Sequence, residues 1–233
     1  MNTYNRINRL LLVLLLTTSA INAQNLVQVS NNNNEVKVIQ QNSNGLVISV
    51  KISDYVKKKV FIKGETFYSI TNEQGSSILD KGFPDLPKIT KSIAIPNNLG
   101  VKATIVSSEF KDYNIKIAPS KGILNRTINP DNIPYEFATI YKSNTFYPNY
   151  MYDIGEPYLL HDQRGVSIDL YPFAYNPQTQ ILRVYYSLII KIDFLGYDIR
   201  NTMPKSAGRN KFFDVIYKNH FLNHSVLNNS RGG

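Results

Sequence analysis

The sequence has no cysteine among its 233 residues, and that absence removes three chemistries together. No disulfide, no thiolate metal ligand and no thiol nucleophile can form, so the chain cannot itself be a cysteine peptidase. A membrane-spanning run is missing too. The apolar stretch at 10–16 has 7 residues, against roughly 20 for a helix that crosses a bilayer. No Gly-rich phosphate loop occurs, and no serine sits in a nucleophile-elbow context. Asp153, Asp162 and Asp169 offer no carboxylate pair of readable separation. The 3 histidines are His161, beside Asp162, and His220 and His224, four apart. That spacing lacks the Glu and third ligand of a metal site, and reads as a core-facing His220 with a frayed His224. The sequence therefore points to no cofactor, and its spacings argue against catalysis.

An export signal is present. Arg6 and Arg9 precede the apolar stretch, and small residues lead to Ala23, the pattern of a signal peptide over 1–23 cleaved after Ala23. The expected location is periplasmic or extracellular. The formal charge of +9 is spread along the chain, with Lys57-Lys58-Lys59 as its one basic run. Nucleic-acid binding normally clusters such charge, so the balance suits an acidic protein cleft or an anionic surface better. Without disulfides, stability must come from a real core. A chain that is 42% hydrophobic, with 16 Tyr and 11 Phe, can supply one.

The pattern along the chain is mostly β. Residues 24–34, with four consecutive asparagines, read as a flexible polar leader. Leu46, Ile48, Val50 and Ile52 then alternate with Val47, Ser49 and Lys51. Apolar runs on either side of Gly64 predict a hairpin, and the Pro-rich stretch 82–87 predicts an extended crossing. Further strands are expected at 89–95, 101–107 and 113–117. The stretch 119–157 has little periodicity but many aromatics. A loop of that length in a compact domain is expected to be ordered and functional. The alternation at 166–170 and at 182–194 predicts a last hairpin turning near 176–179. Phe213, Ile216, Tyr217, His220 and Phe221 recur at helical spacing. The expectation is an all-β antiparallel sandwich, jelly-roll-like, over 35–200, followed over 201–233 by a short helix and a disordered tail.

One basic side chain stands apart. Arg126 lies in an expected surface loop at 121–130, flanked by Asn125 and Thr127, which complete a glycosylation-type triplet. A proline-bounded loop could present it to an acidic pocket.

Several motifs recur in a specific order. Lys81-Gly82, Pro84 and Leu86-Pro87 come first. Ile117-Ala118-Pro119-Ser120-Lys121-Gly122, Arg126, Asn129-Pro130-Asp131 and Ile133-Pro134-Tyr135 follow. Next are Asp162, Arg164-Gly165, Tyr175-Asn176-Pro177 and Leu182-Arg183-Val184-Tyr185. Asp214, Ile216-Tyr217-Lys218, Phe221 and Asn223 close the series. In that order and spacing, the chain resembles the propeptide domain of gingipain-type cysteine peptidases. The resemblance implies a sandwich-like domain that folds ahead of a caspase-like catalytic domain, assists its folding and caps its cleft. In Arg-specific members a prodomain loop places an Arg in the specificity pocket, and the matching position here is Arg126. Lys121 could serve a Lys-specific enzyme in the same way, though the motif match favours Arg126. Activation cuts after basic residues, and Arg231 falls near the expected junction. The implied partner is a gingipain-like peptidase catalytic domain, acting in cis or in trans. The residues leave a second reading open, a secreted adhesion or glycan-binding module that uses exposed tyrosines.

Overall fold

The computed structural model describes residues 25–203 and 211–224; the expected signal peptide with Ala23, and Arg231, lie outside them. Strands run in the order β1 (Asn25–Gln28), β2 (Glu35–Asn42), β3 (Gly45–Lys51), β4 (Asp54–Ile62) and β5 (Glu65–Thr71). Next come β6 (Ser76–Ser77), β7 (Pro87–Ala94), β8 (Leu99–Asn114), β9 (Tyr152–Ile154) and β10 (Tyr158–Leu160). The last are β11 (Gln163–Leu170), β12 (Phe173–Asn176) and β13 (Ile181–Tyr197), followed by helix α1 (Asp214–His220).

These strands form antiparallel sheets. One is β1-β4-β5. A second is β10-β11-β7-β6, with β9 on β11. The third is β12-β13-β3-β2, with β8 along the other edge of β13. The second and third sheets feed one core. Leu46, Ile48 and Val50 of β3 and Leu188, Ile190 and Ile192 of β13 join Ile89 and Ile93 of β7 and Val166, Ile168 and Leu170 of β11. Each such side chain contributes about 1.5–3 kcal/mol on burial, which is how a chain without disulfides holds its shape.

The strand layout differs from the sequence reading in three places, and His220, read as core-facing, is exposed. Residues 25–28 are not a flexible leader but strand β1, paired with β4 from Asn25↔Lys57 to Gln28↔Asp54. Val29 is buried behind it, and the Asn34 side chain accepts from Ser53 N at 2.8 Å. Its four residues, half polar and half apolar, carry too little alternation to announce a strand.

The stretches at 101–107 and 113–117 are not two strands. A single strand, β8, runs from Leu99 to Asn114. Its polar middle, Ser107 to Glu109, pairs with Ile189 to Ser187 of β13, and nearer its end Asp112 accepts two bonds of 2.9 Å from Arg183 directly across.

The runs at 166–170 and 182–194 do not pair with each other. β11 pairs with β7 and β13 with β8, β3 and β12. Pro172 has no N–H with which to continue the β11 ladder, and the chain crosses into the other sheet there. Residues 171–177 are buried without a break across this crossing. The hairpin that turns near Asn176 is β12–β13.

Candidate functional site

The loop that carries Arg126 is built from its base upward. β5 leads the chain in: Tyr68 N donates to Lys116 O and Ala118 N to Tyr68 O, both at 2.8 Å, with Ile117 fully buried between them. The Pro-rich crossing then receives both ends of the loop. Ser120 N donates to Phe83 O at 2.7 Å, Gly82 N to Ser120 O at 2.8 Å, and Ala138 N to Gly82 O at 3.0 Å. Residues 120 and 138 therefore meet at Gly82. Glycine is required there, since φ is +82° and a Cβ would stand 3.1 Å from Ala138 N. Beneath this seam, Phe137 packs between Phe67 (5.6 Å) and Tyr141 (4.8 Å), and the Tyr141 hydroxyl donates to Ile117 O at 2.9 Å.

Lys121 closes the loop across its neck. Its Nζ donates to Pro130 O at 2.7 Å and sits 4.2 Å from the centre of the Tyr135 ring. The lysine considered as a second bait is thus a brace inside the loop. Above it, Asn125 organises the tip: its carbonyl accepts from Ile128 N at 2.9 Å, and its side-chain oxygen accepts from Thr127 N at 3.3 Å. This is a β-turn with a side-chain clasp, and Arg126 occupies its first corner. Arg126 is exposed and has no hydrogen-bond or ion-pair partner among the described residues. Asn129 clasps the far side, accepting from Asp131 N at 3.0 Å. Arg126 thus stands exposed on a turn held by backbone and side-chain hydrogen bonds.

Under the loop lies Asp85, whose N–H donates to Ala118 O at 2.9 Å. Burial pushes its carboxyl up to about 6, against an opposing hydrogen bond from Ser77. Burial also raises Tyr135 and Tyr141, with the Asp85 charge adding to both.

A second constellation went unread as a unit in the sequence. Asn223 grips the free edge of β7 in place of a strand, accepting from Ala94 N and donating to Ala94 O, both at 2.8 Å. Leu222 N donates to Ser92 O at 2.9 Å. Tyr217 of α1 hydrogen-bonds Asp162 through its hydroxyl. Arg164, 1% exposed, donates to Arg200 O, Pro96 O and Leu99 O at 2.7–3.0 Å. His220 shares a 2.6 Å hydrogen bond with the Tyr158 hydroxyl. An open cleft of about 600 Å³ lies beside the loop segment, with Phe146, Tyr147, Tyr150 and Tyr185 in its walls.

Many of the motif residues thus gather into two supports, one under Arg126 and one at the C-terminal helix, while those at 175–177 and 182–185 form the β12–β13 hairpin. The Propeptide_C25 family model matches residues 26–230. The chain belongs to this family of propeptides. Among curated proteins, it is 34% identical to gingipain R2 of Porphyromonas gingivalis over 160 residues, covering 67% of this chain and 22% of that one. It is 24% identical to Lys-gingipain HG66 of the same organism over 174 residues, 70% of this chain and 10% of the relative. The chain thus spans about a fifth of gingipain R2 and a tenth of Lys-gingipain HG66.

Among solved structures, the propeptide superposes on a chain from the complex of Porphyromonas gingivalis RgpB pro- and mature domains. The TM-score is 0.75 at 28% identity, covering 83% of this chain and all of that one. It shares its fold with a chain from a structure addressing zymogenic latency of gingipain K from the same organism, with a TM-score of 0.65 at 17% identity over 75% of this chain and all of that one. The chain is a propeptide of this family and contains no cysteine. No helix among the described residues is long and apolar enough to cross a membrane.

Proposed function

We propose that this propeptide keeps a gingipain-type cysteine peptidase latent by capping its cleft and seating Arg126 in an acidic specificity pocket. The supporting observation is the position of Arg126, at the exposed corner of a clasped turn whose base is stapled to Gly82. A guanidinium offers a planar fork of donors suited to a carboxylate at a pocket floor. A loop that is already rigid loses little freedom on docking, which favours affinity. Lys121 and Tyr135 brace the neck, and Asn125 and Thr127 shape the tip. The partner is a catalytic domain reached in cis or in trans after export, with Ala23 as the signal-cleavage residue and Arg231 as a processing residue. Of the tyrosines on which the glycan-binding reading rests, Tyr55, Tyr171, Tyr175 and Tyr217 are buried while Tyr150 and Tyr197 are exposed.

The test is inhibition by the chain from Gln24 onward, assayed against an Arg-specific and a Lys-specific peptidase of the gingipain type. Selective inhibition of the Arg-specific enzyme supports the reading. Equal inhibition of both, or of neither, rejects it.

A further inference from the structure

Lys57-Lys58-Lys59 takes no part in the loop or the C-terminal support, yet the fold places it deliberately. It lies on β4, which turns into β5 through Lys63 and Gly64, both at positive φ (50° and 84°), a tight two-residue hairpin. β1 covers β4 only as far as Lys57, so the outer edge from Lys58 to the tip has no strand partner among the described residues. Alternation puts Lys57, Lys59 and Phe61 on one face. There the Lys57 ammonium lies 5.3 Å from the Tyr68 ring and that of Lys59 4.8 Å from the Phe61 ring. Phe61 is 69% exposed. Nothing stands within 4 Å of a Cβ built on Gly64, so the tip is convex.

The charge of this hairpin is uncompensated. Lys57, Lys58, Lys59 and Lys63 form no ion pair among the described residues. The neighbouring acids are engaged elsewhere: Glu65 holds Lys116 at 2.5 Å, and Asp54 is held by Asn34 and Ser53. Lysine on an open strand edge also discourages edge-to-edge aggregation. That role accounts for Lys58, but it does not account for an exposed phenylalanine in the same strand.

We propose that the β4–β5 hairpin seats the propeptide on anionic lipid surfaces, with Lys57, Lys58 and Lys59 at the headgroups and Phe61 at the acyl boundary. An exposed apolar ring with an ammonium beside it and further lysines along the same strand is an arrangement that binds such a surface. Lysine stems bury beside the ring while their heads stay at the phosphates. Each lysine near an anionic surface strengthens binding by about fivefold, and that share is screened by salt.

The experiment is co-sedimentation of the chain from Gln24 onward with vesicles of phosphatidylcholine, with and without phosphatidylglycerol. The chain from Gln24 onward retains every strand of the described residues and both core clusters. Binding is expected to need phosphatidylglycerol and to weaken with salt. Lys57→Gln, Lys58→Gln and Lys59→Gln combined should weaken it by at least about tenfold. A charge-matched control with Lys102→Gln, Lys142→Gln and Lys218→Gln should stay near the parent. Phe61→Ser should remove the part of the binding that survives salt. Lys59→Glu, at an exposed position on the Phe61 face, probes the same surface if the triple variant melts early. The proposal is overturned by no binding to anionic vesicles, equal binding to neutral ones, or equal loss in the control. Equally tight, hairpin-dependent binding to polyglutamate would overturn it as well.

Discussion

Gly165 and Phe221 interlock: a Cβ on Gly165 would stand 2.5 Å from Cε1 of the Phe221 ring. The missing side chain on β11 is the socket for the residue that ends α1. Phe221 bridges to Ser92 and Asn223 occupies the next polar pair of β7, so the C-terminal segment extends the sheet edge that β6 begins. Gly165→Ala should push the ring out and cost about 1–3 kcal/mol. Asn223→Ala, which strands a buried N–H and a buried C=O, should cost a similar amount or more. Hydrogen exchange at the Leu222 amide checks both; protection equal to the parent in both variants contradicts the interlock.

Arg164 is a second staple, and its shape matters as much as its charge. Nε and Nη1 reach three carbonyls while Nη2 lies 3.3 Å from Asp198. Lysine cannot supply that fork. Arg164→Lys should lower stability by about 2–4 kcal/mol, within the range for breaking a buried polar network. Denaturant unfolding gives the answer, and a loss near zero would show that the charge alone suffices.

Asp85 should make stability depend on pH in an uncommon direction. Its carboxyl binds a proton more tightly in the folded chain, at about 6, than in the unfolded one, at about 4. The stability it contributes is therefore full below about pH 4 and is lost as pH rises through about 6. Asp85→Asn should flatten that slope and raise stability near pH 7 by about 2 kcal/mol. Unfolding curves between these pH values measure it. If parent and variant keep the same pH slope, burial is not acting on this carboxyl as described.

How far the sequence carries can be judged from particular residues. The alternation of Leu46, Ile48, Val50 and Ile52 reads directly as β3 because one face is buried and the other is wet. The same signal misleads at 166–170 and 182–194, since alternation reports a half-buried strand and not its partner. Pro172 and the buried crossing decide that. β1 escapes because four residues of mixed character carry too little periodicity. At the site, Asn125 and the flanking prolines announce a turn around Arg126. The neck brace from Lys121 to Pro130 is not legible, because a lysine stem can point anywhere until its neighbours are placed. Asp162, Tyr217 and Asn223 recur as motifs, but the pairing of Asp162 with Tyr217 and of Asn223 with Ala94 is a matter of tertiary contact.

Asn125 offers a test of preorganisation separate from contact. Asn125→Ala removes the clasp on Thr127 N while leaving Arg126 in place. Inhibition of an Arg-specific gingipain-type peptidase should weaken by about fivefold, the value of roughly 1 kcal/mol for one such hydrogen bond. Thermal stability should hardly change, as the turn is exposed. An inhibition constant equal to the parent's would mean that the turn gains nothing from its clasp.

The most direct measurement is the inhibition constant of the Arg126→Ala chain against that same peptidase, beside the parent. A side chain at the centre of the contact should contribute about 2–4 kcal/mol, so the constant should rise by about 30- to 1000-fold with the melting temperature unchanged. A constant that stays at the parent's value, in a chain that remains folded, contradicts the account.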